Sequence, residues 1–179
     1  MKPGRRNGQG GFTLVELTIA VGIVGVLVAG IAGIFPQMVR SYDFNNARTV
    51  AVTQVQNGIQ YINRDCQMAQ NISAQNNATF PLTLTWKSWD TDKTKPQITT
   101  SVVYSLDGSG DLIRQYSDTS GVSNNATVAL DISADPALTS CTWDSAAHVL
   151  TLQITAVVTS GSQTDSETRK MKIVPRPGA

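Results

Sequence analysis

The sequence predicts an α+β protein, in which one long N-terminal helix, membrane-spanning in its first half, packs its second half on an antiparallel β-sheet head. Three observations predict it. Phe12 to Phe35 is an apolar run of 24 positions with a single ionisable residue, Glu16. Apolar residues at Val52, Val55, Ile59, Ile62, Cys66 and Ala69 then recur at spacings of three and four, the seam of an amphipathic helix. From Leu82 onward apolar and polar residues alternate between turn-rich segments, the pattern of half-buried strands.

The chain opens on a basic stretch. Lys2, Arg5 and Arg6 lie within the first 11 residues, which contain no acid. The whole chain of 179 residues carries 14 basic and 13 acidic side chains; without this segment, 11 basic face 13 acidic. That near-balance argues against nucleic-acid binding, which would show a basic excess. One His and two Cys are too few for a zinc finger or a soft-metal cluster, and no cofactor is implied.

The apolar run comes next. At the standard rise it spans ~36 Å as a helix, enough for a ~30 Å hydrocarbon core with some tilt. Basic residues precede it and Arg40 is the first to follow, so the positive-inside rule puts the N-terminus in the cytoplasm and the rest outside. A secretory signal would have a shorter apolar region and an A-x-A-like cleavage site. A plain signal anchor accounts for length and orientation but not for Glu16, since a carboxylate in hydrocarbon costs roughly 2.5–3.5 kcal/mol. Glu16 also lies close enough to the helix start to sit at headgroup depth. Gly25, Ala29 and Gly33 fall at spacing four, a stripe suited to close helix packing, although membrane helices are rich in Gly generally. Pro36 is expected to kink or locally melt the helix.

The string Gly10-Gly11-Phe12-Thr13-Leu14-Val15-Glu16 resembles the class III leader of type IV pilins and type II secretion pseudopilins. The resemblance implies a pilin-like fold and cleavage by a prepilin peptidase between Gly11 and Phe12. It also implies N-methylation of Phe12 and retention of the apolar helix for assembly. Cleavage would create a cationic amine at Phe12 that a neighbouring subunit's Glu16 could meet, so that two charges costly alone become tolerable together and fix the stagger between subunits. The expected partners are the peptidase, other pilin or pseudopilin subunits, an inner-membrane assembly platform and the lipid bilayer. Many type IV pilins have a proline three positions before Pro36, where this chain has Gly33.

Four segments follow: a leader over 1–11, a transmembrane and assembly helix over 12–35, an amphipathic continuation over 36–70, and a β-rich extracytoplasmic head over 71–179. Gly58 within the helix costs about 1 kcal/mol relative to Ala. In the head, residues 72–81 read as a loop. Strands are expected over 82–86, 98–106, 111–114, 127–132, 138–143, 148–158 and 168–174, with a hairpin turn at 107–110 and another at 144–147. The stretch Tyr61 to Ala69, containing Arg64-Asp65-Cys66, resembles the helix end of larger minor pilins and pseudopilins of the J or W type. Tyr104-Ser105-Leu106-Asp107 and Leu112-Ile113-Arg114 resemble them too. These favour a minor subunit of a pilus or secretion pseudopilus. The alternative is a singly anchored extracytoplasmic binding module.

No catalytic constellation stands out. His148 follows a turn, and no G-x-S-x-G elbow is present. Asp107-x-Ser109-x-Asp111 has the oxygen-rich start of a calcium loop without its downstream Glu, so a hairpin turn is the simpler reading. Asp90 and Asp92 have Lys93 and Lys95 beside them. Cys66 and Cys141 in an exported chain are candidates for one disulfide, whereas the place of Cys66 on the apolar seam also suits a buried free thiol.

Overall fold

Residues 11–75, 79–89 and 97–175 are described by the structure, a computed structural model. Lys2, Arg5, Arg6 and Gly10, the acids Asp90 and Asp92 with Lys93 and Lys95, and the tail from Arg176 lie outside the described residues. Helix α1 runs over Leu14–Met68 and contains Pro36. Proline there removes one amide donor, yet the helix continues through it, so the local melting expected there does not occur. The chain divides into two compact units between Tyr42 and Asp43.

In the first unit every apolar side chain from Phe12 to Val39 is exposed. The segment is long and apolar enough to cross a membrane. Gly25 and Gly33 have nothing within 4 Å of where a Cβ would stand.

The second unit holds the rest of α1 and, among the described residues, eight strands. Strands β1 (Asn71–Gln75), β2 (Thr79–Ser88), β3 (Ile98–Leu106), β4 (Leu112–Asp118) and β5 (Ser123–Ala129) form one antiparallel sheet in chain order. Strands β6 (Ser140–Asp144), β7 (Val149–Ser160) and β8 (Gln163–Ile173) form a second. Two sheets thus replace the single sheet expected. The expected loop over 72–81 is in large part strand: Asn71–Gln75 pairs with β2, burying Ile72 and Ala74 on alternate positions. The strand expected at 127–132 is split. Its first part lies in β5, while Ile132 bridges to Ala156 of the second sheet.

The core joins the helix seam to both sheets. Val55, Ile59, Ile62, Cys66 and Ala69 are buried as expected, with Val52 half-buried. Ala47, Ala51 and Gly58 extend the buried face, and their small size permits close approach. At Gly58 an added Cβ would stand 3.2 Å from Leu112 Cδ2 and 3.4 Å from Ile154 Cδ1. The residue that costs helix propensity therefore lets the helix sit tightly on both sheets. Leu82, Leu84, Val102 and Leu112 of the first sheet and Leu150, Leu152 and Ile154 of the second complete the core.

Candidate functional site

Among the described residues, two places carry an acidic side chain where an apolar one would be expected. One is the start of α1. Thr13 precedes the first helical residue, and its backbone N–H and its hydroxyl each donate to Glu16 Oε2 at 3.0 Å. The Thr13 hydroxyl oxygen accepts in return from the Glu16 amide at 3.3 Å. This is a capping box, in which side chains three positions apart satisfy the helix's otherwise unbonded first donors. Glu16 thus has a role within its own chain. The signal was in the sequence: Thr13-x-x-Glu16 directly before an apolar run has the capping-box spacing, which an account of Glu16 by charge alone passes over. One carboxylate oxygen, Oε2, takes both Thr13 donors; no bond to Oε1 exists among the described residues. Phe12, immediately before the cap, is 89% exposed. Gly11, Phe12 and Glu16 therefore cluster at one helix end, with Gly25, Ala29 and Gly33 farther along the exposed apolar face.

The other place is the helix's far end, where Asp65 is fully buried. Its Oδ2 accepts from the Tyr104 hydroxyl at 2.6 Å and from Arg114 Nε at 2.6 Å. Its Oδ1 accepts from Arg64 Nε at 3.3 Å. Strands β3 and β4 present Tyr104 and Arg114 as a cross-strand pair. Burial, and after it the bond to Asp65, hold the Tyr104 hydroxyl above its ordinary range. Burial pulls the Arg114 guanidinium the other way, and Asp65 more than offsets it, so the net direction is up. The segments Tyr61 to Ala69, Tyr104 to Asp107 and Leu112 to Arg114 are thereby joined through one carboxylate. The convergence itself was not foreseen, because the partners lie 39 and 49 positions from Asp65.

Cys66 and Cys141 are both fully buried in the core, and both are free thiols. The disulfide expected from an even cysteine count is not formed in this structure. Both sulfurs belong to the hydrophobic core cluster, and burial pushes each thiol up to about 12. His148 sits in the turn before β7 at a φ of 51°, with its ring 6.2 Å from that of Trp143. Asp107 Oδ1 accepts from the amides of Ser109 and Asp111, each at 2.8 Å, so this carboxylate organises the turn. A depression of about 320 Å³ lined by Phe80, Pro81, Leu106 and Pro136 has Asp107 as the one titratable group among its described lining residues.

Residues 6–32 match the profile of the prokaryotic N-terminal methylation motif, which takes in Gly11, Phe12, Glu16 and most of the apolar run. A long apolar helix followed by antiparallel sheets is consistent with a type IV pilin-like protein, and the motif supports a precursor of the pilin or pseudopilin type. No curated protein and no solved structure matches the chain.

Proposed function

We propose that the protein is a minor pilin or pseudopilin, a structural subunit of a type IV pilus or type II secretion pseudopilus rather than an enzyme. Prepilin peptidase cuts after Gly11, Phe12 is methylated, and the apolar helix holds the subunit in the inner membrane with its head outside. An assembly platform then passes it into a filament, whose core is built from these helices. The observation that carries the reading is the methylation motif over residues 6–32, set on a helix whose apolar side chains from Leu14 to Val39 are all exposed.

The geometry at Glu16 supports the way such a subunit would assemble. The two Thr13 donors fall on Oε2, which leaves Oε1 for a cation from outside the chain. The Phe12 amine of an adjoining subunit is such a cation. A charge pair formed in apolar surroundings is costly to break, because removing one partner strands the other. The pair therefore favours a single stagger over sliding of otherwise smooth helices.

Replacement Glu16→Leu tests this. The variant should enter the membrane as well as the unchanged chain, since it removes a charge from the apolar run. It should be strongly depleted from sheared filaments or from the pseudopilus fraction. Equal incorporation of both forms would refute the register role.

A further inference from the structure

The outer edges of the two sheets are guarded unequally. Strand β8 carries Asp165, Glu167, Arg169, Lys170 and Lys172, and charges along an edge discourage pairing with a further strand. Strands β1 and β6 are short and lie in contact with one another. Strand β5 has neither protection. Ser123-Asn124-Asn125-Ala126-Thr127 is exposed throughout and contains no charge and no proline. The register shift at Val128, and the bond from the Leu130 amide to Gln54 Oε1 at 2.9 Å, lie beyond this run.

The ladder fixes which backbone groups face outward. At the β4–β5 hairpin the Asp118 amide donates to the Val122 carbonyl at 3.0 Å. Bonds alternate along an antiparallel pair. Asn124 and Ala126 therefore bond to Tyr116 and Arg114, while the amides and carbonyls of Ser123, Asn125 and Thr127 turn away from β4. Those outward groups have no partner among the described residues. Donors and acceptors at this repeat match another extended backbone. The registered row Leu82, Tyr104, Arg114, Ala126 also runs from fully buried at Leu82 and Tyr104 to exposed at Ala126, so the inner face of the sheet is left uncovered at β5.

We infer that β5 pairs antiparallel with β5 of a second copy of this chain, about a two-fold axis through Asn125. The strand is self-complementary about that point. Asn125 meets its own counterpart and Ser123 meets Thr127, each pair exchanging both amide–carbonyl bonds, so every outward group in the run is satisfied. No like charges meet, and the Ser–Thr pairs add hydroxyl bonds across the strands. A slip of one residue would set outward groups against groups already bonded to β4. The interface is small, and holding both chains in one bilayer raises their effective concentration. The inference goes beyond the filament reading and stands or falls whether or not Phe12 is methylated.

The test uses the full chain in phosphatidylcholine vesicles, with one cysteine added on β5. In the pair, residue 125 and its counterpart would lie about 5.5 Å apart between Cα atoms, within the ~4.4–6.8 Å that a disulfide spans. Residue 123 and its counterpart would be about 14 Å apart. Both positions are exposed, and the native Cys66 and Cys141 are fully buried. Under copper-phenanthroline oxidation Asn125→Cys should form a disulfide-linked dimer about tenfold faster than Ser123→Cys. Adding Ser123→Lys with Thr127→Lys to the Asn125→Cys chain sets lysines face to face and should slow the dimer, whereas Ser123→Lys with Thr127→Glu sets opposite charges face to face and should restore it. These side chains are exposed, so none of the variants threatens the fold. Equal rates for Asn125→Cys and Ser123→Cys, or for the two charged variants, would overturn the inference. So would oxidation in native membranes that links Asn125→Cys to a different protein and gives no dimer.

Discussion

Replacing Asp65 should damage the head more than any other single polar substitution described above. The carboxylate is fully buried and accepts from Tyr104 and Arg114 at 2.6 Å and from Arg64 at 3.3 Å. Asp65→Ala leaves the Tyr104 hydroxyl and a guanidinium that is 14% exposed without their acceptor. Breaking a buried pair from one side costs about 3–5 kcal/mol, because the abandoned charge keeps its desolvation penalty. Tyr104→Phe removes a hydrogen bond to a charged group and should cost about 1.5–3 kcal/mol. Arg64→Gln touches a pair whose cation is mostly exposed and should cost under about 1 kcal/mol. Urea unfolding of the full chain in mild detergent gives the three values, with the fluorescence of Trp86 and Trp143 reporting on the core they pack against. The expected order is Asp65→Ala, then Tyr104→Phe, then Arg64→Gln. The double variant Asp65→Asn with Tyr104→Phe should be clearly less damaging than the sum of its parts. If Asp65→Ala costs less than about 1 kcal/mol, or the double variant is additive, the buried cluster does not anchor the helix end.

Alkaline pH should weaken the head. Burial raises Cys66 and Cys141 from 9.0 to about 12 in the folded chain. Below the lower value both states hold these protons and stability is complete; above it the unfolded chain releases them while the fold retains them, so stability falls as pH rises, by about 1.4 kcal/mol per pH unit for each thiol. Urea midpoints taken across that window should decline less steeply in a Cys66→Ala, Cys141→Ala variant, and an identical slope would contradict the burial argument. Gly110 and Gly121 both have positive φ, 85° and 93°, but a Cβ at Gly110 would stand 2.8 Å from the Ile132 carbonyl oxygen while one at Gly121 meets nothing within 4 Å. Thermal melts should therefore show Gly110→Ala costing more than the ~1–2 kcal/mol of backbone strain expected at Gly121→Ala. Thr13→Val removes the capping hydroxyl and should loosen the first turn by about 1 kcal/mol, seen as faster hydrogen exchange at the amides of Val15 and Glu16 in micelles.

The helix and most strands were legible because their patterns are local. The seam from Val55 to Ala69 and the alternation in β3 and β7 need only neighbouring residues to be recognised. Strand β1 escaped because Asn71-Ile72-Ser73-Ala74-Gln75 offers two modest apolar residues among polar ones; its pairing with β2 supplies what its own composition lacks. The division into two sheets was not legible either, since it depends on Ile132 leaving the path of β5 to meet Ala156. At the N-terminus the resemblance of Gly10 to Glu16 to a prepilin leader singled out Gly11, Phe12 and Glu16, while the Thr13-x-x-Glu16 spacing carried the cap that a reading by charge alone passes over. The buried Asp65 cluster was not, because an acid on a helix among Gln, Asn and Arg looks solvated until the chain brings Tyr104 and Arg114 over it. The free thiols were half legible: the even count suggests a bridge, the seam position of Cys66 suits a buried thiol, and only the folded core shows Cys141 enclosed as well.

Mass spectrometry of the native protein's N-terminus, recovered from membranes and from filaments, puts the central claim to its most direct trial. The first residue should be Phe12 bearing an N-methyl group, with the whole apolar helix still attached. A chain that keeps Met1, or one that starts beyond Phe35, would contradict assembly through this helix.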